Sequence, residues 1–79
     1  MSVHPGDLLL REVLLPANLS VLAAAERLNV PAELLADIVC GKLPVTVEVA
    51  AALAREFGFS RERWLQLQAA WDKEQLLLA

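Results

Sequence analysis

Apolar residues recur along this chain at helical spacing, and the recurrence is broken at regular intervals by proline, glycine and small polar residues. Pro5 is tolerated in a first helical turn, where its missing N–H costs nothing. Asp7 follows with a charge suited to a helix N-terminus, and "DLLLREVLL" then runs to Pro16. Ser20 is a good N-cap for "VLAAAERL", Pro31 suits the first turn of "AELLADIVC", and Gly41 suits the left-handed conformation that ends a helix. Thr46 can cap "VEVAAALAREF", which Gly58 stops, and Ser60 can cap "RERWLQLQAAWDKEQLLL". The pattern therefore predicts five helices joined by short connections, with no internal repeat, linker or low-complexity block.

Helices two and three, separated by a tight joint at Asn29 and Val30, have the spacing of a helix-turn-helix. Ala24, Ala25, Leu28, Val30, Leu35 and Ile38 fall on the inner faces of two crossing helices, and Ala25 is small where the two should approach most closely. Such a pair also occurs in proteins that never touch DNA.

Composition supports the helical reading. The chain has 79 residues, enough for one domain spanning 1–79, and 57% of them are hydrophobic, with few glycines and no tyrosine. The single cysteine, Cys40, forms no internal disulfide and no zinc-spaced thiolate cluster, which fits a reducing compartment. The N-terminus lacks the basic start and apolar stretch of a signal peptide, and no apolar run reaches the ~18 residues that cross a bilayer. A cytoplasmic, soluble protein that does not engage membranes is the expectation.

Charge pulls the other way from DNA. The net charge is −3, whereas nonspecific DNA affinity comes mostly from Lys and Arg neutralising phosphates.

The order "HPGDLLLREVLLP", "LS", "NVP", "IVCGK", "VT", "LAREFG" and "WLQLQAAWD" resembles the HigA-type antitoxins, antidote proteins of addiction modules within the XRE/Cro-like helix-turn-helix class. The resemblance covers nearly the whole chain, and the combination of "HPG" with the tryptophan-containing segment is its most specific part. It implies an all-α, five-helix, lambda-repressor-like domain. It also implies a homodimer that binds double-stranded operator DNA, represses its own promoter and neutralises a HigB-like, mRNA-cutting toxin, with no cofactor. The DNA-facing positions it implies are Ser20 and Val21 at the start of helix two, the outward face of helix three at Ala32, Glu33, Leu34, Ala36 and Asp37, and the following loop at Lys42 and Leu43.

The sequence departs from the family at these places. Val21 stands where such proteins usually carry Gln, so an amide contact to phosphate or base is missing. Ala32, Leu34 and Ala36 offer only apolar contact, of the kind a thymine methyl accepts, while Glu33 and Asp37 are acceptors that match cytosine N4 but must approach a polyanion. Residues 20 to 46 carry two basic and three acidic side chains. Helix N-terminal amides can still hold a phosphate without side-chain charge. A second reading thus stays open, a degenerate helix-turn-helix retained as a protein-interaction module through an apolar patch of Val21, Leu34 and Leu43.

The remaining residues point to structure. His4, the one histidine, is expected to pack or hydrogen-bond at the start of helix one, and Cys40 to act as a small filler next to Gly41. Trp64, Leu67 and Trp71 share a stripe on helix five, with Trp64 inside and Trp71 nearer the boundary. Trp71, Leu76 and Leu77 are the expected dimer or partner contacts, because three consecutive leucines at 76 to 78 cannot all face one core. Arg55, Arg61, Arg63 and Lys73 alternate with acidic residues and read as a solvated face. No residue set supplies a nucleophile, base and oxyanion donor together, so catalysis is not expected, and no metal spacing is present.

Overall fold

The computed structural model describes residues 3–78, and all regular structure among them is helical. The first helix, α1 (Pro5–Leu9), passes directly into a π-helical segment, Leu10–Leu14. It is followed by α2 (Val21–Leu28), α3 (Ala32–Val39), α4 (Val47–Phe57) and α5 (Arg61–Leu78).

The predicted caps act as read from the sequence. Ser20 Oγ accepts the Ala23 N–H at 3.1 Å and Thr46 Oγ1 accepts the Val49 N–H at 3.3 Å, each satisfying a donor that the first helical turn leaves open. Ser60 Oγ accepts the Arg63 N–H at 3.3 Å. Gly58 ends α4 in the left-handed region, at φ +77°.

Helix one departs from the simple helix expected from Asp7 to Leu15. It begins at Pro5, because His4 takes the N-cap position, and it widens after Leu9, where the Leu15 N–H reaches back to the Leu10 carbonyl at 2.9 Å. The apolar residues explain the widening. Leu9, Val13 and Leu14 are all buried, and a pair five residues apart shares a face only where the hydrogen bonds run i to i+5. Helix three also stops one residue early, at Val39. Cys40 occupies the C-cap and is exposed rather than filling a gap in the core.

One cluster forms the core. Leu9, Val13 and Leu14 meet Ala24, Ala25 and Leu28 of α2, Leu35 and Ile38 of α3, Val49, Ala50, Ala52 and Leu53 of α4, and Trp64 of α5. Val30, expected among the inner residues, is half-buried at the edge.

Gly6 sets how closely the layers approach. A Cβ at this position would lie 1.8 Å from the Ile38 carbonyl oxygen, so only glycine lets α1 lie against the end of α3.

Candidate nucleic-acid interface

The α2–α3 pair turns within three residues. Asn29 adopts the left-handed conformation (φ 58°, ψ 44°), which asparagine tolerates better than most residues, and the Val30 N–H bonds the Ala25 carbonyl at 3.0 Å. Pro31 then sits in extended backbone, which prepares α3 to start at Ala32, and the Leu35 N–H bonds its carbonyl. With Ala24, Ala25, Leu28, Leu35 and Ile38 all buried, the inner faces of both helices are committed to the core. The outer face of α3 is left to solvent.

Of the positions expected to meet DNA, Ser20, Glu33, Lys42 and Leu43 are exposed, while Val21, Ala32, Leu34, Ala36 and Asp37 are half-buried. Val21, Ala32 and Leu34 pack in part against the core, so their outward contribution is the edge of an apolar surface. Leu22 and Val47, 60% and 57% exposed, are more accessible than the Val21, Leu34 and Leu43 patch expected from sequence.

The two cations of this segment have different fates. Arg27 lies over the Phe57 ring at 4.9 Å from its centroid, and its guanidinium donates to the Glu56 carbonyl at 3.5 Å, at the C-terminal end of α4. Lys42 forms no ion pair among the described residues and stands just past the end of α3.

The loop that carries Lys42 is held from three sides. The N–H groups of Lys42 and Leu43 both bond the Asp37 carbonyl, at 2.8 and 3.2 Å, closing the end of α3. Gly41 takes φ +80°, a left-handed conformation that lets the chain turn. From the far end of the sequence, Gln68 of α5 is buried and accepts the Val45 N–H at 2.8 Å, while its own amide donates to Asp72 at 2.9 Å. Asp72 thereby fixes which way the Gln68 amide points. This anchor was not read from the sequence, although the Gln68 to Asp72 spacing of four residues is a helical hydrogen-bond signature.

His4 completes the clamp. Its Nδ1 accepts the Gly6 N–H at 2.9 Å, its ring meets Trp71 edge-on at 5.3 Å, and it hydrogen-bonds the Leu43 backbone. Burial pushes the His4 pKa below its ordinary value, with Asp72, the Leu43 hydrogen bond and Asp7 opposing that shift. The expected packing role of His4 is therefore observed, and "HPG" gains a physical account: His4 caps, Pro5 starts the helix, and Gly6 permits close approach.

Trp64 is buried and Trp71 half-buried, as their spacing suggested, but Trp71 spends part of its surface on His4. Leu76, Leu77 and Leu78 are 78%, 77% and 69% exposed at the end of α5. Arg55 and Arg61 pair with Glu56 and Glu62 on the surface, as a solvated face would. A groove lined by Leu8, Glu12, Phe59, Arg63 and Leu67 contains one carboxylate and one guanidinium. No cluster of three metal-ligating side chains occurs among the described residues, and no helix there is long and apolar enough to cross a membrane.

No protein-family profile matches the chain. Individual proteins do. Virulence-associated protein I of Dichelobacter nodosus is 37% identical over 71 residues, 90% of this chain. The chain spans 60–66% of the length of the curated relatives it matches first. Among solved structures, the antitoxin HigA of Pseudomonas aeruginosa with the higBA promoter superposes with a TM-score of 0.93 at 30% identity, covering 96% of this chain and 83% of the other. An addiction module antidote protein of the HigA family from Coxiella burnetii gives a TM-score of 0.91 at 33% identity, with 98% and 85% covered. These two proteins are an antitoxin and an antidote, not enzymes. With its backbone superposing on theirs over nearly the whole chain at 30% identity or more, the chain belongs to the HigA family of helix-turn-helix antitoxins.

Proposed function

We propose that this protein is a cytoplasmic antitoxin and autoregulator that binds operator DNA as a homodimer and neutralises a partner ribonuclease toxin. The observation that carries the DNA half is the α2–α3 pair with an open α3 face, in a chain whose backbone follows that of a HigA antitoxin solved with promoter DNA. In this reading α3 enters the major groove. Ser20, Val21, Ala32, Glu33, Leu34, Ala36, Asp37 and Lys42 line the contact, with the α2 and α3 N-termini placed to offer backbone amides to phosphates. The exposed Leu76 and Leu77, with the outer edge of Trp71, are the proposed dimer or toxin contact, since an apolar helix end of this kind gains from burial.

The test is a fluorescence-anisotropy titration with duplex from the protein's own promoter at low salt. Saturable binding tighter than to random duplex is the expected result, and equal affinity for both would remove operator recognition. Lys42 is the one cation of residues 20 to 46 free of a partner in the described structure, so a dimer presents two. The slope of log K against log salt should be about −2, far shallower than for basic repressors.

The exposure of Leu22, Leu43 and Val47 around an acidic face favours one second reading, a helix-turn-helix that binds a protein instead of DNA. Leu22→Asp, a change at the most exposed residue of that patch, should then abolish co-purification with the product of the neighbouring reading frame. Unchanged co-purification would eliminate it.

A further inference from the structure

On the assumption that the DNA-binding reading above holds, the chemistry of α3 restricts which bases it can read. Of the α3 positions not fully buried on its DNA-facing side, Glu33 is exposed, Ala36 and Asp37 are half-buried, and Ala32 and Leu34 show only an edge beyond their packing on the core; none of these side chains carries a hydrogen-bond donor at neutral pH. The only arginine on the helix pair is held on the Phe57 ring and the Glu56 carbonyl, so it is occupied away from α3. Lys42 lies beyond the C-cap of α3, in a loop whose backbone is fixed by the Asp37 carbonyl, Gln68 and His4. It is placed as a point charge for a phosphate rather than as a fork for a base.

The major-groove edge of guanine presents two acceptors, N7 and O6, and adenine presents N7 beside its N6 donor. Both purines are read bidentately only by a side chain that donates. Cytosine N4 donates, and thymine presents a methyl group. We infer that α3 of this protein reads pyrimidines of its operator: thymine methyls against the outer edge of Leu34 and the alanines, and cytosine N4 against Glu33 or Asp37, with no contact from an α3 side chain to purine N7. Specificity of this kind has few strong contacts. The rest must come from groove shape and from phosphate positioning.

Chemically edited DNA separates these contacts. The full-length protein is titrated with its promoter duplex, with the same duplex carrying uracil in place of thymine, and with one carrying 7-deazaguanine in place of guanine. Uracil lacks only the C5 methyl, and each buried methyl should be worth about fourfold in affinity, so two or more contacts give a loss on the order of tenfold or greater. The 7-deazaguanine duplex should bind as the unedited one does. A loss with 7-deazaguanine and none with uracil would overturn the inference while leaving operator binding intact, and unchanged binding of both would reduce the protein to a reader of backbone and shape. Failure of the unedited duplex to exceed random DNA would defeat the operator-binding reading itself, and this inference with it.

One variant provides an independent check. Glu33 is exposed, so Glu33→Gln should fold normally, bind several-fold tighter through loss of a negative charge, and accept adenine where the parent prefers cytosine. Tighter binding with unchanged base preference would mean that Glu33 only repels phosphates, and would remove it from the reading set.

Discussion

The two faces of α3 obey different rules. Its inner side and C-terminal end are closely specified: Ile38 is buried with its carbonyl against Gly6, and the Asp37 carbonyl takes two loop amides. The loop beyond is pinned by Gln68 and His4. The outer side has alanine, leucine and two carboxylates, with no donor and no cation. The contrast shows that the repressor shape is maintained by backbone approaches and buried hydrogen bonds. Those determinants do not involve the exposed face, so the helix pair keeps its shape whatever side chains that face carries.

The sharpest way to break the buried side is Gly6→Ala. A Cβ placed 1.8 Å from a carbonyl oxygen forces α1 away from α3, and a loss of about 3 kcal/mol, at the upper end of the overpacking range, is expected in urea denaturation. Wild-type stability for this variant would mean that α1 and α3 approach less closely in solution.

Gln68→Leu comes next. It keeps the bulk but leaves the buried Val45 N–H without its acceptor, at a cost of about 2 kcal/mol. Amide exchange at Val45 should accelerate beyond the change in global stability, which would show that α5 holds the loop carrying Lys42. Exchange that tracks global stability alone would argue against such a clamp.

Acid titrates the same region. The folded pKa of His4 lies below its unfolded value of 6.5, so the unfolded chain takes up the proton first. Stability should be at its full value above pH 6.5 and fall as the pH drops through the lower folded pKa. Protonated Nδ1 would also lose its bond from the Gly6 N–H. With one histidine in the chain, the fall below the unfolded value of 6.5 has a single histidine source. His4→Asn, able to cap but not to titrate there, should flatten the dependence in denaturation curves, and a slope that survives the replacement would place its origin elsewhere.

The smallest effect belongs to the outer face. Glu33→Gln should change the unfolding free energy by no more than about 1 kcal/mol, as an exposed substitution that loses only a negative charge in the first turn of α3. A larger shift would show that the outer face also contributes to the fold.

Much of this architecture was legible in the sequence because its signals are local. Ser20 and Thr46 bond amides three residues on, and Gly58 ends α4 by its own conformation, so helices two to five were bounded within a residue of where they lie. The division of α3 into a buried and a solvent-reaching side was equally readable, since helical spacing alone separates Leu35 and Ile38 from Glu33 and Asp37.

Tertiary structure decided what depends on partners distant in sequence. The Gln68 bond to Val45 spans 23 residues, and the Arg27 bond to Glu56 spans 29. The π-helical segment at Leu10–Leu14 forms where Leu9 and Leu14 are both drawn into the core, and Cys40 is left outside because α3 ends beside it. The amino-acid order sets caps and periodicity, which act within one turn. Whether a glycine must remain bare or a cation is occupied depends on which surface packing brings against it, and that is settled only when the helices meet.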